Sequence, residues 1–306
     1  MSAGLNLMHT AGLLTLRSQF HGGRLADLKV VLRRPAVAPV FLGKTPQAVV
    51  QVVPLLYSVC AKAQQQVAQA ALDVAVGCDA QMAPATGLWT EMLHEILWRV
   101  LLDWPLAAGL PAEKEAFVAW RSVRLGVNAI AATEKLCHGL VADLSARCLE
   151  RFPTTTVAQS HDAMSPDPEA WMDYCVGKSR QMPPLQPPVS IRAAYQGRIA
   201  QLHVALQALA SQAAYPVAIA AAQGWGVAQV ATARGVLTHA AQVKDGHVCD
   251  YRVWAPTDAF FADSSAVSTL LEGGIYTTVA QARAALELAV LALDPCVPFE
   301  VEIDDA

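Results

Sequence analysis

Two short runs of strand character open the chain. Residues 13–16 and 25–32 carry apolar side chains at strand spacing, and His21-Gly22-Gly23 supplies a turn between them. From residue 43 the period lengthens. Gly43-Lys44-Thr45-Pro46 is a helix-start signal, with Thr45 as N-cap and Pro46 at the first helical position. Val49, Val53, Leu56, Cys60, Ala63 and Val67 follow at spacings of 4, 3, 4, 3 and 4, the apolar face of a helix. Pro54 interrupts that face by removing a hydrogen bond and crowding the preceding turn, so two helices with a kink are expected rather than one. Ser58 is then the candidate cap of the second helix. Cys60 falls in its first turn, where free N–H groups and the helix dipole favour a thiolate.

Further helices are expected over 88–102, 112–124, 127–151, 168–176, 191–211 and 279–293. Between 152 and 190 the chain carries Pro153, Pro166, Pro168, Pro183, Pro184, Pro187 and Pro188, the mark of a long surface connection with one short helix. Strands are expected over 227–232, 235–240 and 247–254, with Lys244-Asp245-Gly246 as a hairpin turn. The expected architecture is α+β and predominantly helical, with small antiparallel β-regions near the N-terminus and at about 227–254. One domain is expected over 1–306: a β-rich segment 1–42, a helical core 43–151, the Pro-rich connection 152–190, and a helical and β part 191–306.

Composition narrows the function classes. Hydrophobic residues make up 54% of the 306 and charged residues 16%, and much of the apolar count is alanine, which suits close-packed helices. A net charge of −4 without any basic run argues against nucleic acid. The uncharged stretch 199–233 is broken by Gln201, Gln207, Gln212, Pro216, Gln223 and Gly224, so it reads as buried core rather than a membrane span. The apolar patches at 5–8 and 13–16 have no basic segment ahead of them, and no secretory signal is expected. Seven scattered cysteines without a CxxC pair fit a reduced, cytoplasmic chain. Of these, Cys78, Cys137, Cys148, Cys175 and Cys249 are assigned to the core. The row Glu91, Glu95, Arg99 and Asp103 on one helix is expected to be a solvated or partner-facing surface.

Three segments carry candidate chemistry. They are Ser58-Val59-Cys60-Ala61-Lys62-Ala63-Gln64, Ala233-Arg234-Gly235-Val236-Leu237-Thr238-His239 followed by Ala255-Pro256-Thr257-Asp258, and Asp294-Pro295-Cys296. Taken singly, Cys60 and Cys296 read as small core thiols, Arg234 as a structural arginine, and His239 as a strand-face histidine with a satisfied hydrogen bond. In this order, however, the set resembles the large subunit of [NiFe] hydrogenases. That family has a CxxCxxxH motif at a helix start, an Arg-Gly-x-Leu-x-His strand, a Pro-Thr segment after a hairpin, and an Asp-Pro-Cys near the C-terminus.

The departures are as informative as the matches. Of the four thiolates the family uses to hold nickel and iron, only Cys60 and Cys296 remain. Tyr57 and Phe299 stand where the other two would be, and Gln64 takes the histidine position. Pro35-Ala36-Val37-Ala38 replaces the family's Arg-Gly-x-Glu, so the proton-carrying glutamate is missing as well. Two thiolates cannot complete a soft four-sulfur nickel site, so hydrogen turnover is not expected.

The chain therefore resembles the non-catalytic HupK/HoxV-type relatives of that subunit. The resemblance implies an assembly scaffold for the Fe(CN)2(CO) fragment, transiently bound, without nickel. Cys60 and Cys296 would hold the iron. Around it, Arg234 and Thr257 would bond the cyanides, Val236 or Leu237 would wall the carbonyl, and Gln64 and His239 would stand behind. The implied partners are a HypC-type maturation chaperone and the hydrogenase large-subunit precursor. An alternative is a metal-free degenerate large-subunit-like protein acting only as an interaction module in hydrogenase maturation. A third reading, an enzyme with Cys60 as nucleophile and His239 as base, needs those two side chains in contact. A shared iron instead needs the two sulfurs roughly 3–4 Å apart, given metal–sulfur distances of about 2.3 Å.

Overall fold

The computed structural model describes residues 12–57, 59–153 and 166–305. Its first element is the expected hairpin, β1 (Leu13–His21) and β2 (Arg24–Arg33), turning on Gly22 and Gly23, both at positive φ. The helices α1 (Pro46–Leu56) and α2 (Ala61–Ala75) follow as two separate elements. Thr45 caps the first as its sequence requires, Oγ1 accepting from Ala48 N at 3.4 Å with Pro46 next to it. Pro54 sits in the last turn of α1, and the helix ends at Leu56.

The helices α3 (Ala85–Trp98), α4 (Trp104–Ala107), α5 (Lys114–Val123), α6 (Ala129–Leu136) and α7 (Ala142–Arg151) come next. One-turn π segments join α3 to α4 (Arg99–Asp103) and α6 to α7 (Cys137–Val141). Beyond the Pro-rich connection, part of which lies outside the described residues, α8 (Pro168–Cys175) and the long α9 (Ile191–Ala210) lead into a β-meander. The meander runs β3 (Val217–Ala222), β4 (Trp225–Thr232), β5 (Gly235–Lys244) and β6 (His247–Trp254), all antiparallel in that order. Three helices and a strand close the chain: α10 (Pro256–Phe260), α11 (Ser265–Leu271), α12 (Val279–Leu293) and β7 (Phe299–Asp305).

The sheets differ from the sequence expectation in two ways. β3 lies inside the uncharged 199–233 run, where its alanines gave no alternation to read. The N-terminal sheet, expected to be antiparallel, is mixed. β7 adds to it parallel to β1, pairing Leu14 with Phe299 through Phe20 with Asp305. This long-range pairing sets β7 beside β1, two strands far apart in sequence.

The core forms where α3 and α9 pack together and α12 meets α9. Trp104, Phe152 and Tyr195 make an edge-to-face aromatic cluster there, with ring centroids 5.1–5.3 Å apart. Across the meander, α2 lies on β4 and β5 at unusually close range. Gly226 permits this: a Cβ built there would fall 2.0 Å from Ala71 O. Among the described residues no helix is long and apolar enough to cross a membrane.

Candidate cysteine pocket

Cys60 is positioned by the break between α1 and α2 and is itself the N-cap residue of α2. Ser58, the expected cap, lies outside the described residues. The expectation of a helix-favoured thiolate is overturned. Glu91 of α3 sends its carboxylate to the start of α2, Oε2 accepting from Lys62 N at 2.8 Å and Oε1 from Ala63 N at 2.9 Å. Two of the helix's free donors are therefore used, and a carboxylate sits where the dipole would have stabilised a thiolate. Burial pushes the Cys60 thiol up to about 12, with Cys296 and Glu91 adding to the rise against Arg234 and a hydrogen bond from Gln64.

Cys296 is held by the backbone before it. α12 ends on Asp294 in the left-handed conformation, φ 49°, an arrangement a short polar side chain tolerates. Thr257, at the start of α10, then clasps the cysteine twice. Its Oγ1 accepts from Cys296 N at 3.1 Å and donates to Sγ at 3.3 Å. A residue that the sequence did not single out completes the contact. Arg34, just past β2, donates Nη2 to Cys296 Sγ and pairs through Nη1 with Asp258 at 3.1 Å. The parallel docking of β7 on β1 brings Arg34 and Cys296 together, and no local pattern announced it.

The two cysteines, far apart in sequence, share one electrostatic neighbourhood. Cys296 is among the groups that shift Cys60, and both cysteines are felt by Tyr57 and by Arg234. Gly235 holds the Arg234 loop against the Thr257 segment: its φ is 132°, and a Cβ there would lie 3.0 Å from Pro256 Cγ.

Arg234 is buried and largely committed elsewhere. Its Nη2 pairs with Glu95 at 3.0 Å and its Nε faces Asp294 at 3.4 Å. Asp294 also takes Arg99 Nε at 2.8 Å and Arg198 Nη2 at 3.0 Å, while Arg99 pairs with Asp103. Burial alone would raise the Asp294 carboxyl, but Arg234, Arg198 and Arg99 together hold it below the usual carboxylate range. The row Glu91, Glu95, Arg99 and Asp103 is therefore not the solvated surface expected of it. It caps α2 and ties α3 to the Asp-Pro-Cys turn.

His239 is fully buried on β5. Its Nδ1 meets Tyr251 Oη and its Nε2 meets Gln64 Oε1, each at 2.7 Å. The Gln64 oxygen can only accept, so Nε2 carries the proton and Nδ1 accepts from Tyr251. Gln64 is thereby turned with its Nε2 towards Cys60 Sγ, at 3.6 Å. Both ring nitrogens are taken and Gln64 stands between His239 and the thiol, so the nucleophile–base reading fails on geometry. Leu237 belongs to the apolar cluster against which Cys60 packs, and Val236 is buried beside it in sequence.

Burial lowers the His239 pKa to about 3. The unfolded chain takes up this proton near 6.5, so stability from the neutral ring is full above 6.5 and is lost as pH falls towards 3. Urea unfolding at pH 7 and pH 4.5 should show a loss larger by about 2 kcal/mol in the wild type than in His239→Gln. Equal losses would contradict a neutral, buried ring.

Among the remaining cysteines, Cys137, Cys148 and Cys175 are buried as expected, while Cys78 and Cys249 are exposed. Cys78 lies past the end of α2. Cys249 points outward on the edge strand β6, where side chains alternate and its neighbour Val248 faces in.

No family model matches the chain. Curated relatives do, along nearly their whole length. The hydrogenase expression/formation proteins HupK of Azotobacter vinelandii and HupV of Azotobacter chroococcum mcd 1 are each 28% identical, over 96% of this chain and 99% of theirs. HoxV of Cupriavidus necator, also a hydrogenase expression/formation protein, is 25% identical over 98% of each. Among solved structures, the fold is similar to an NAD+-reducing [NiFe]-hydrogenase (TM-score 0.58, 15% identity, 90% of this chain and 93% of that one). It is also similar to a [NiFeSe] hydrogenase variant from Desulfovibrio vulgaris Hildenborough (TM-score 0.61, 13% identity, 90% and 93%). The architecture is thus a predominantly helical core with small sheets, similar to the hydrogenase large-subunit fold. With two of the four thiolates gone and relatives that are expression/formation proteins, hydrogenase activity is not expected of it. The chain is a homologue of the HupK/HoxV-type hydrogenase maturation proteins.

Proposed function

We propose that the protein works in hydrogenase maturation as a large-subunit-like interaction module that needs no metal of its own. One observation carries this reading. The cysteines left from a four-thiolate pattern are engaged inside the protein, Cys296 by Arg34 and Thr257 and Cys60 by Gln64. Among the described residues no group of three or more His, Cys, Asp or Glu could hold a metal ion, and Cys60 is a thiol at neutral pH. What persists is the fold itself, a shape that proteins serving the large subunit would recognise. Its partners on this reading are a HypC-type maturation chaperone and the hydrogenase large-subunit precursor, met in the cytoplasm. A tagged chain expressed beside a hydrogenase and its maturation proteins should co-purify both partners, and a Cys60→Ala/Cys296→Ala variant should capture them equally well. Capture that disappears with the cysteines would overturn this reading.

A specific observation favours a second reading, in which the chain carries the Fe(CN)2(CO) fragment on Cys60 and Cys296. Two buried guanidinium N–H groups near the sulfurs, Arg34 Nε and Arg234 Nε, lack a well-formed hydrogen bond; the second has only its 3.4 Å ion pair with Asp294. Donors of this kind suit the nitrogen end of a cyanide. The fragment is cargo here: the arginines and Thr257 would orient it, and Leu237 would supply apolar wall. This reading predicts cyanide and carbonyl stretching bands that vanish when either cysteine is replaced.

A further inference from the structure

We propose that Arg34 is the residue that keeps divalent cations such as nickel, cobalt and zinc off the Cys296 sulfur. This goes beyond the proposed function and concerns bare divalent cations, not an iron whose charge two cyanides neutralise.

Arg34 leaves the end of β2 and reaches the C-terminal motif, with Nη2 on Cys296 Sγ and Nη1 on the Asp258 carboxylate at 3.1 Å. Its side chain is largely buried there. A guanidinium does not lose its proton in a protein, so the contact places a permanent positive charge directly on the sulfur. A cation bound to that sulfur would sit about 2.3 Å from it. It would then lie within roughly 4 Å of the guanidinium, a distance at which like charges in a partly buried pocket repel strongly. The cation must also displace two donors that already occupy the Cys296 lone pairs, Arg34 Nη2 and Thr257 Oγ1.

The other donors near this position give little compensation. Asp258 is engaged by Arg34 and by Ala255 N, which it accepts at 3.1 Å. Cys60 accepts from Gln64, and the residue before the break in the helix is a phenol, Tyr57, rather than a further sulfur. Arg34 alone among these groups bears a fixed positive charge in contact with a sulfur. Removing it leaves the Cys296 sulfur with no fixed positive charge against it and one donor fewer to displace, so a cation of this kind can bind there with water in its remaining positions.

The test is a titration of the reduced full-length protein with cobalt(II), read by the thiolate-to-cobalt charge-transfer absorption, and competed with nickel(II). Wild type and Arg34→Lys should stay silent. Arg34→Met should develop the absorption and bind cobalt at least on the order of tenfold more tightly, a difference of about 1.4 kcal/mol. Adding Cys296→Ala to Arg34→Met should abolish the band. Arg34→Gln, which keeps a donor for the sulfur but drops the charge, carries the same expectation as Arg34→Met and covers the case in which methionine disturbs folding. Wild type binding cobalt as tightly as the neutral variants would overturn the proposal. So would silence in both neutral variants, since something other than Arg34 would then keep the metal out.

Discussion

Replacing Asp294 with alanine is expected to cost about 3–5 kcal/mol of folding stability, the usual penalty for removing one partner from a buried ion pair. The expectation rests on the number of charges that this one carboxylate serves. Arg99 from the π segment after α3, Arg198 from α9 and Arg234 from the β4–β5 turn all converge on it, and Asp294 itself is 2% exposed. Alanine would leave three guanidinium groups in apolar surroundings with only Glu95 and Asp103 to balance them. The effect would also be local to the pocket, because Asp294 fixes the left-handed turn that presents Cys296. Its depressed pKa gives the loss a pH signature. The stability it contributes is present above the unfolded value near 3.9 and is lost as pH falls through the lower folded value. Urea unfolding at pH 7 checks the magnitude; a loss under about 1 kcal/mol would mean that the three arginines find other partners.

The second large effect is expected from Gly226→Val. The added Cβ would meet the Ala71 carbonyl at 2.0 Å, the Ala75 amide at 2.7 Å and the Val74 side chain at 2.7 Å. Two of these are backbone atoms of α2, which cannot move aside by changing rotamer. The helix must lift from β4, at a cost of about 3 kcal/mol, the upper end for overpacking in a core. Lifting α2 also shifts Cys60 and Gln64 away from His239, so the Gln64–His239 hydrogen bond should weaken in the same variant. A urea midpoint and a near-ultraviolet circular dichroism spectrum indistinguishable from the wild type would contradict the close approach of helix and sheet.

The legible parts of this molecule were those written in a few adjacent residues. Thr45-Pro46 announced α1, Gly22-Gly23 the first hairpin and Lys244-Asp245-Gly246 the last. The resemblance to the hydrogenase large subunit survived in strings such as Arg234-Gly235 and Asp294-Pro295-Cys296 because each needs a special backbone. Gly235 needs positive φ beside Pro256, and Asp294 needs a left-handed turn.

What could not be read depended on partners distant in sequence. Phe299, Val301 and Ile303 alternate with acidic residues in a visible strand pattern, yet nothing in that pattern says that it docks parallel to β1. Arg34 went unnoticed for the same reason, since its importance follows from that docking. Glu91 and Glu95 formed a polar row on a helix that looked solvated, and only the positions of α2 and Arg234 turn them inward. His239 was read as a satisfied strand histidine, but its link through Gln64 to Cys60 joins β5 to α2 and needed the fold.

Infrared spectroscopy tests the central claim most directly, on protein co-expressed with hydrogenase maturation proteins and purified together with its partners. Wild type, Cys60→Ala and Cys296→Ala would be compared, with iron measured in each. An interaction module without a metal centre predicts no cyanide or carbonyl stretching bands, negligible iron, and three indistinguishable spectra. Bands in the wild type that are lost in either variant would contradict it and establish a carrier holding its iron through those two sulfurs.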